Sequence, residues 1–549
     1  MSSKQVVRNA SLFNLTGTGP KQSHRPVYKD YLPPCNQGCP TGNDIQGFLA
    51  LVREKEFKKA WQKLVINQPM PSIHGRVCYH PCETACNRAS VDSPVSIQQV
   101  ERMLGDLAID QEWAYPTPTK ESGKKVLIIG AGPAGLAAAY HLRLAGHQVE
   151  IRDANEIAGG MMNYGIPEYR LPRDILAKEV KRIEEMGVKI TLNHKVDDVV
   201  KEKKEGQFDA VFLAIGAQIG RQIDIPMVDC GPMMEAANYL HSVGNKQQVK
   251  LGRRVAVLGG GNTAMDAARV AKRLGAEESM VIFFSDRNNM TAHEFEAEEA
   301  EAEGVKIHWL RNLKAVEGNK YKMEIMALDE NGVAQPTGEF ETLNADAMVM
   351  AIGQDIESQL LENVPDVKIN PDNTVNVNEH MMTGYKGIFA GGDMVPSDRS
   401  VTISTGHGKK AARNIDAWLR GGTYLSEEKH EVVTHEMLQL WYQVDSSRNE
   451  IPELEVAERV KDFTEVVQGL TQEQAFYEAQ RCYSCGNCFE CDGCFGACPE
   501  DAVIKLGKGN RYKFDYDKCT GCQACMNQCP CHAIDMEVVT CDLTESTIR

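Results

Sequence analysis

Long apolar runs are missing from this 549-residue sequence: outside one glycine-rich turn, no stretch reaches the roughly 18 apolar residues of a membrane-spanning helix. Positive charge is also scarce, because 60 lysines and arginines face 76 aspartates and glutamates, which leaves a net charge of −16. Without a basic stripe, nucleic acid is not an expected partner. The first residues also lack the charged start and apolar stretch of a secretory signal. We therefore expect a cytoplasmic protein without membrane contact.

Cysteine, in contrast, is abundant and unevenly distributed. Of the 18 cysteines, 5 lie within residues 35–86 and 12 within residues 482–541, while Cys230 stands alone. A disulfide framework would be unusual in a large cytoplasmic protein. The short, regular spacings instead favour metal or iron–sulfur ligation.

The stretch KVLIIGAGPAGLAAAYH, residues 125–141, organises the rest of the chain. An apolar strand leads into a G-x-G-x-x-G turn, and a helical pattern follows. Glycines there allow a tight turn, close approach of a pyrophosphate and close packing of helix on strand. The next strand, residues 148–152, ends at Asp153, where an acidic residue is expected to bind a ribose hydroxyl. The candidate dinucleotide-binding residues of this unit are Gly130, Gly132, Pro133, Ala134, Gly135 and Asp153.

A second glycine-rich turn, in VAVLGGGNTAMDAARVAKRLGA, satisfies G-x-G-x-x-A between another strand and helix. Its candidate nicotinamide-nucleotide contacts are Gly259, Gly261, Asn262, Thr263 and Ala264. After the next strand come Phe284, Ser285, Asp286 and Arg287. A carboxylate at Asp286 suits a ribose 2′-hydroxyl and repels a 2′-phosphate, which favours NAD(H) over NADP(H). NADP(H) remains the alternative, with Arg287 as the partner of its 2′-phosphate.

The C-terminal cysteines form two runs of C-x2-C-x2-C-x3-C-P, the pattern of a two-cluster bacterial ferredoxin. In that pattern the fourth cysteine of each run binds the other cluster. The first [4Fe–4S] cluster is thus expected on Cys488, Cys491, Cys494 and Cys529, and the second on Cys519, Cys522, Cys525 and Cys498. Spacing assigns no role to Cys482, Cys485, Cys531 or Cys541.

The segments CNQGCPTGNDIQGF, GRVCYHPCETACNR and VSIQQVERML resemble the N-terminal iron–sulfur domain of the glutamate synthase small subunit family. Similar domains occur in the ferredoxin:NADP transhydrogenase large subunit and in dihydropyrimidine dehydrogenase. The resemblance implies one cluster on Cys39, Cys78, Cys82 and Glu101. Cys35 and Cys86 match ligands of a second cluster, but the two upstream cysteines of that site are absent here. We therefore expect a single N-terminal [4Fe–4S] cluster; a zinc site or inert thiols are the alternatives.

The same resemblance extends to FAD-flanking segments, including GGMMNYGIPEYRLP, FDAVFLAIGA and GIFAGGDM. It implies that Asp393 binds the ribityl chain and that a helix over residues 405–414 points at the flavin pyrimidine edge. Further FAD contacts are expected at Gly160, Arg170, Gly216, Gly353 and Gly392. The acidic stretch 292–304 is expected to present a solvated helix face, and no side chain is expected to act as a catalytic acid or base.

The predicted fold class is α/β, with two nested Rossmann-type domains, an N-terminal helical iron–sulfur domain and a C-terminal bacterial ferredoxin-like domain. Expected boundaries are an arm (1–34), the iron–sulfur domain (35–113), the FAD domain (125–220 and 346–422), the NAD(P) domain (221–345), a helical connector (423–480) and the ferredoxin domain (481–549).

A flavin converts between hydride and single electrons, whereas a [4Fe–4S] cluster carries one electron at a time. The combination predicts an NAD(P)H:acceptor oxidoreductase, in a homodimer or a hetero-complex, that exchanges electrons with a one-electron partner. That partner could be ferredoxin, a 2-oxoacid:ferredoxin oxidoreductase or dissimilatory sulfite reductase, since an NADH-linked flavoprotein associated with the last resembles this chain. The alternatives are a glutamate synthase small subunit and a non-catalytic electron-relay subunit.

Overall fold

The two ends of the chain meet. The computed structural model describes residues 23–539 except 363, 427 and 442, so Cys541 and most of the predicted arm lie outside the described residues. The strand His24–Tyr28 pairs antiparallel with Ile534–Val538. The segment before the iron–sulfur domain therefore lies on the C-terminal module.

The first parallel sheet is built around Lys125–Ile129, whose last four residues are buried. Such continuous apolar strands are typical of parallel sheets that helices cover on both faces. In spatial order its strands are Ile388–Ala390, Ala210–Leu213, Lys125–Ile129, Gln148–Arg152 and Lys189–Thr191. The helices around it are Pro133–Leu144, Met161–Tyr164, Arg173–Glu185, Val199–Glu205 and Val401–Leu419, with 3₁₀ turns at Gln359–Leu361 and Gly392–Met394.

The second parallel sheet is inserted between strands of the first, as nested dinucleotide folds require. Its strands are, in spatial order, Lys306–His308, Glu278–Ile282, Arg254–Leu258, Ala347–Met350 and Met233–Glu235. Its helices are Ala236–Gly244, Asn262–Arg273 and Glu294–Ala302, with a 3₁₀ turn at Arg287–Asn289. Beside it lies a sheet of Ala334–Asn344, Lys320–Leu328, Arg311–Glu317 and Met227–Val228.

One expected boundary moves. The predicted boundaries assign residues 346–353 to the FAD domain. In the structure, however, Ala347–Met350 pairs in parallel with Arg254–Leu258 inside the second sheet. The strand is fully buried and fills the gap beside Met233–Glu235. The chain returns to the first sheet only afterwards, where Gln354–Asp355 pairs with Ile219–Gly220 at the crossover.

The N-terminal domain is helical, as expected. Its helices are Pro34–Gly38, Ile45–Arg53, Phe57–Val65, Pro71–Val77, Pro81–Thr84 and Ile97–Asp110, with a 3₁₀ turn at Asn87–Ser90. Asp44 caps one of them by accepting a hydrogen bond from the Gly47 amide at 3.0 Å. Lys409 on the helix Val401–Leu419 donates to the Thr41 carbonyl at 2.6 Å and so ties this domain to the first dinucleotide fold.

The acidic helix Glu294–Ala302 is not simply a solvated face. Glu296 is buried and forms an ion pair with Arg170 at 2.6 Å. Glu303, just beyond the helix, is buried between Arg269 and Arg273. The expectation of a solvated face is wrong because it rests on the charges of the helix alone. The buried arginines that pair with these glutamates come from other segments of the chain.

The predicted helical connector over residues 423–480 is helical mainly at its end, in Gln472–Gln480. Before that, the described residues contain only the 3₁₀ turn His435–Met437 and the short helix Val456–Arg459. The rest runs across other domains, and its backbone bonds to them: Val433 donates to the Leu32 carbonyl and Val466 to the Tyr169 carbonyl. These partners replace the hydrogen bonds within a helix.

The ferredoxin-like module has two short helices, Gly493–Ala497 and Ala524–Asn527, and the strands Val503–Ile504, Lys513–Phe514 and Ile534–Val538. Buried cysteines form much of its small core. Within the part of the chain that the structure describes, no helix combines the length and apolarity needed to cross a membrane.

Candidate functional site: a dinucleotide cleft beside cysteine clusters

A cleft of about 1020 Å³ lies between the two parallel sheets. Both glycine-rich turns open into it, because the carboxyl ends of parallel strands meet at one edge of a sheet. Its lining includes the following predicted cofactor contacts: Gly130, Gly132, Pro133, Ala134, Asp153, Gly160, Arg170, Gly216, Gly259, Gly261, Asn262, Thr263, Gly353, Gly392 and Asp393. The volume is at the upper end of the range for ligand pockets.

The first turn is shaped as a cradle for a phosphate. Gly160 has φ +55°, and a Cβ atom there would lie 2.9 Å from the Cα atom of Gly132. A side chain at either position would fill the space beside the N-terminus of the helix Pro133–Leu144. Gly135 does not line the cleft; a Cβ atom there would overlap the Gly130 carbonyl, so it serves close packing of helix and strand. The residues present therefore fit a pyrophosphate.

Asp153 sits at the end of its strand and lines the cleft. Its carboxylate accepts hydrogen bonds from the Ala131 amide at 2.7 Å and the Asn155 amide at 2.8 Å. The side chain thus holds the glycine-rich turn in place as well as facing the expected ribose position.

Asp393 also lines the cleft, where it is half-buried and accepts a hydrogen bond from the Ser404 hydroxyl at 2.8 Å. Burial raises the pKa of this carboxyl above its usual value. The helix behind it begins at Val401, capped by Ser400, rather than at residue 405 as the sequence suggests. Its first turn lines the cleft, where its free amides favour negative charge.

The second turn follows the same plan. Gly259, Gly261, Asn262 and Thr263 line the cleft at the start of the helix Asn262–Arg273, while Ala264 is buried beneath them. These are the positions that a second dinucleotide would contact.

Two predicted nucleotide contacts lie elsewhere. Asp286 does not line the cleft: its carboxylate accepts from the Asn289 amide at 3.2 Å and side chain at 2.6 Å, which lowers its pKa. Arg287 pairs with Glu294 at 2.8 Å and Glu301 at 3.0 Å. Both side chains are used in capping and ion pairing. Phe284, which is 53% exposed, faces the cleft instead.

Arg170 lines the cleft but is committed to two carboxylates, Asp266 at 2.8 Å and Glu296 at 2.6 Å. This buried network joins the FAD segment to the second dinucleotide fold. The structure therefore gives Arg170 a role in holding the cleft together, beside the expected FAD contact.

The N-terminal cysteines fall into two groups. Cys78 and Cys82 lie within electrostatic range of Cys39 and Glu101. Glu101 is buried and accepts a hydrogen bond from the Gln68 side chain. Val77 and Tyr79, on either side of Cys78, line the dinucleotide cleft. This group, the one that the resemblance implies, therefore abuts the cleft.

The ferredoxin-like module brings its cysteines together in the expected combinations. Burial raises the pKa of the Cys494 thiol to about 12, and the neighbouring thiols of Cys529, Cys488 and Cys491 add to the rise. A second small cavity is lined by Cys498, Cys519, Cys522 and Cys525. Buried thiols that oppose one another's ionisation are suited to cationic iron, which removes that repulsion.

Comparison with known families agrees with this geometry. The family model "Pyridine nucleotide-disulphide oxidoreductase" matches residues 124–415, more than half of the chain. The chain belongs to the pyridine nucleotide-disulphide oxidoreductase family. A model of dihydropyrimidine dehydrogenase domain II with a 4Fe-4S cluster matches residues 20–113, and a 4Fe-4S binding domain matches residues 512–535.

Three curated relatives are similar in sequence to this chain over most of their length. The "NADP(+)-dependent formate dehydrogenase subunit beta" of Moorella thermoacetica is 34% identical over 83% of this chain and 71% of its own. The "NADPH-Fe(3+) oxidoreductase subunit beta" of Geobacter sulfurreducens is 32% identical over 84% and 76%. The "Glutamate synthase [NADPH] small chain" of Azospirillum brasilense is 33% identical over 71% and 87%. The predicted resemblance to the glutamate synthase small subunit is confirmed.

This member of the family is therefore an NAD(P)H oxidoreductase with FAD and [4Fe–4S] clusters, and the predicted α/β fold is confirmed. Sequence reasoning missed the surroundings of Cys35 and Cys86, which lie beside Cys482 and Cys485. The C-x2-C spacing of the latter pair was the available signal, but nothing in the sequence indicates which distant residues it meets.

Proposed function

We propose that this chain transfers electrons between NAD(P)H and a one-electron protein partner, through FAD in the cleft and its iron–sulfur clusters. One observation carries the proposal: Val77 and Tyr79 line the dinucleotide cleft on either side of Cys78. A two-electron donor site and a one-electron cluster site therefore share a wall. Bound FAD supplies the conversion between hydride and single electrons.

The protein's own part in this chemistry is positioning. The two glycine-rich turns line one cleft and would hold two dinucleotides there, which is the proximity that hydride transfer between them requires. The network of Arg170 with Asp266 and Glu296 fixes the two folds against each other. The helix beginning at Val401 places its positive end at the cleft, where it would stabilise negative charge on a flavin bound there.

For the nicotinamide cofactor we propose NAD(H). Phe284 and Ser285 stand at the end of the strand where a 2′-phosphate would require cations. The nearby Arg287 and Arg311 are paired with Glu294 and Glu341 respectively. Asp286 does not contribute to this preference, because its carboxylate caps the turn Arg287–Asn289. The names of the three relatives carry NADP or NADPH, so the cofactor is where this chain is expected to differ from them.

The partner is proposed to be ferredoxin or the subunit of a larger enzyme that docks at the ferredoxin-like module, with a 2-oxoacid:ferredoxin oxidoreductase and dissimilatory sulfite reductase as candidates. The relatives from M. thermoacetica and G. sulfurreducens are themselves named as β subunits. A glutamate synthase small subunit is the second candidate function, favoured by the A. brasilense relative. The additional C-terminal ferredoxin-like module favours the first candidate function, electron transfer with a separate one-electron protein partner.

Anaerobic spectral titration with NADH, and separately with NADPH, tests the proposal. Flavin bleaching followed by loss of iron–sulfur absorbance at stoichiometric NADH is the expected result. Preferential reduction by NADPH would overturn the cofactor assignment alone. Absence of bleaching by either nucleotide, in protein that dithionite still reduces, would contradict the proposed activity and leave a relay subunit.

A further inference from the structure

Four cysteines from opposite ends of the chain surround one small cavity at the seam between the N-terminal domain and the ferredoxin-like module. They are Cys35, Cys86, Cys482 and Cys485. Cys35 lies within electrostatic range of the other three. Cys35 is buried and the others are half-buried.

The ferredoxin-like module provides an internal comparison. Its cavity lined by Cys498, Cys519, Cys522 and Cys525 and the seam cavity each have a volume of about 20 Å³. Each is surrounded by four cysteines and closed by apolar side chains, which at the seam include Leu49, Val95 and Ile97. The seam thus has the size and thiol number of a site expected to bind a cluster.

The backbone at the seam has the same local geometry as the ferredoxin ligand loops. Ser484 lies in the left-handed region at φ +53°, and its amide donates to the Cys482 sulfur at 3.4 Å. In the corresponding loop, Gly521 has φ +70° and donates to the Cys519 sulfur at 3.4 Å. Left-handed φ is uncommon for a serine. Its presence between two cysteines indicates a loop shaped to turn amides toward sulfur.

The two halves of the seam are held together by buried arginines. Arg481, directly before Cys482, donates to the Ser93 carbonyl at 2.7 Å and pairs with Asp92 at 3.2 Å. Arg88 in turn donates to the Arg481 carbonyl at 2.8 Å. Asn87 donates to the Cys485 sulfur at 3.5 Å. Residues next to the cysteines thus fix the C-terminal pair against the N-terminal pair.

We propose that Cys35, Cys86, Cys482 and Cys485 bind a further [4Fe–4S] cluster that joins the N-terminal domain to the ferredoxin-like module. The proposal differs from the expectation of a single N-terminal cluster, because two cysteines near the C-terminus would take the place of the two missing upstream ligands. A single zinc or iron ion fits less well, because no three metal-ligating side chains among the described residues converge on one point. In a [4Fe–4S] cubane each thiolate binds a different iron. The four sulfur atoms therefore surround the cluster and do not converge on one point.

The proposed cluster would make the electron path continuous. In sequence, its ligands are three or four residues from expected ligands of the other two clusters: Cys35 is near Cys39, Cys86 near Cys82, and Cys485 near Cys488. Residues four apart have Cα atoms at most about 14 Å apart, and residues three apart at most about 11 Å. The proposed cluster would therefore lie close to both the cleft-side cluster and the first ferredoxin cluster. This relay role, unlike the metal site itself, rests on the proposed function.

The first test is iron and acid-labile sulfide analysis of anaerobically reconstituted full-length protein, with flavin content measured on the same sample. Four clusters predict about 16 irons and 16 sulfides per chain. Two double variants, C35S/C86S and C482S/C485S, should each lose about four irons. Cys230→Ser, at the lone cysteine, is the matched control and should lose none. Equal FAD content in all variants shows that the dinucleotide folds are intact.

Wild-type protein with about 12 irons, unchanged in both double variants, would overturn the proposal, as would loss in only one of the two variants. One zinc per chain that disappears in both variants would overturn it in favour of a mononuclear site. Low-temperature EPR of the dithionite-reduced protein adds a second readout, because one interacting cluster signal should vanish from both variants.

The relay role is tested separately. With NADH, the C482S/C485S variant should still reduce the flavin and an artificial dye, while the ferredoxin-module clusters stay oxidised. Full reduction of those clusters at the wild-type rate would refute the relay. Failure of NADH to reduce even the flavin would contradict the proposed function, while the iron count still decides the metal site.

Discussion

The nicotinamide preference is open to a direct test at Phe284. Its ring lies just beyond the strand Glu278–Ile282, lines the cleft and is 53% exposed. Ser285, the next residue, is only 3% exposed, so an arginine at 285 would have to be buried. An arginine at 284, in contrast, can reach the mouth of the cleft. Phe284→Arg is therefore expected to introduce a cation for a 2′-phosphate without disturbing the core.

The size of the effect follows from this exposure. A hydrogen bond to a charged group contributes about 1.5–3 kcal/mol. A half-exposed guanidinium is screened by salt, which places the gain near the lower end, about 1.5–2 kcal/mol. At 25 °C this corresponds to about a 10–30-fold increase in the ratio of kcat/KM for NADPH to that for NADH.

Steady-state dye reduction with both nucleotides, at low and high ionic strength, measures this ratio. The shift should shrink as salt is added. Phe284→Met, which removes the ring without adding charge, is the control and should leave the ratio within about twofold of wild type. An unchanged ratio in Phe284→Arg, or an equal shift in Phe284→Met, would refute the placement of the 2′ position at this strand end.

Three further changes probe the fold and the cleft. Glu303→Gln leaves two buried arginines without their shared charge and should destabilise the second dinucleotide fold by about 3–5 kcal/mol, seen as an earlier thermal transition. Gly160→Ala should weaken FAD retention about 5–150-fold, because its Cβ meets Gly132; Gly304→Ala, equally left-handed but in open space, should retain FAD. Burial lowers the pKa of His74 to about 3 from an ordinary 6.5, so acid favours the unfolded state. One such group removes about 1.4 kcal/mol between pH 7.5 and 5.5, and His74→Gln should reduce this pH dependence of the melting temperature. Retained FAD in Gly160→Ala, or an unchanged transition or pH slope in the other variants, would contradict the respective argument.

Local patterns account for what sequence reasoning predicts well. The strand Lys125–Ile129, its turn and its helix are neighbours in sequence, and their glycines have steric reasons that depend on a few adjacent residues. The second turn at Gly259 is equally local, and the ferredoxin runs that begin at Cys488 and Cys519 are each expected to supply three of a cluster's four ligands within seven residues. In each case spacing alone fixes which atoms can approach the cofactor position.

The failures arise where the folded chain pairs a side chain that the sequence pattern leaves free for another role. Asp286 has the right charge for a ribose, yet Asn289 provides nearer donors. The acidic stretch 292–304 reads as a solvated face, yet Glu296 meets Arg170 from the other fold. The first contact depends on a local turn, and the second is set by tertiary packing, which a single sequence does not reveal.

Cys35 and Cys86 illustrate this limit most clearly. Counting nearby cysteines suggests a cluster lost with its upstream ligands, because the count assumes that all four ligands belong to one domain. A cluster requires only that four thiolates surround it, whichever segments supply them. Here the pairing of His24–Tyr28 with Ile534–Val538 and the contacts of Arg481 bring the two ends of the chain together. The same contacts would place Cys482 and Cys485 at the positions of the missing ligands. Docking of the ferredoxin-like module would therefore also complete the cluster that connects this module to the cleft.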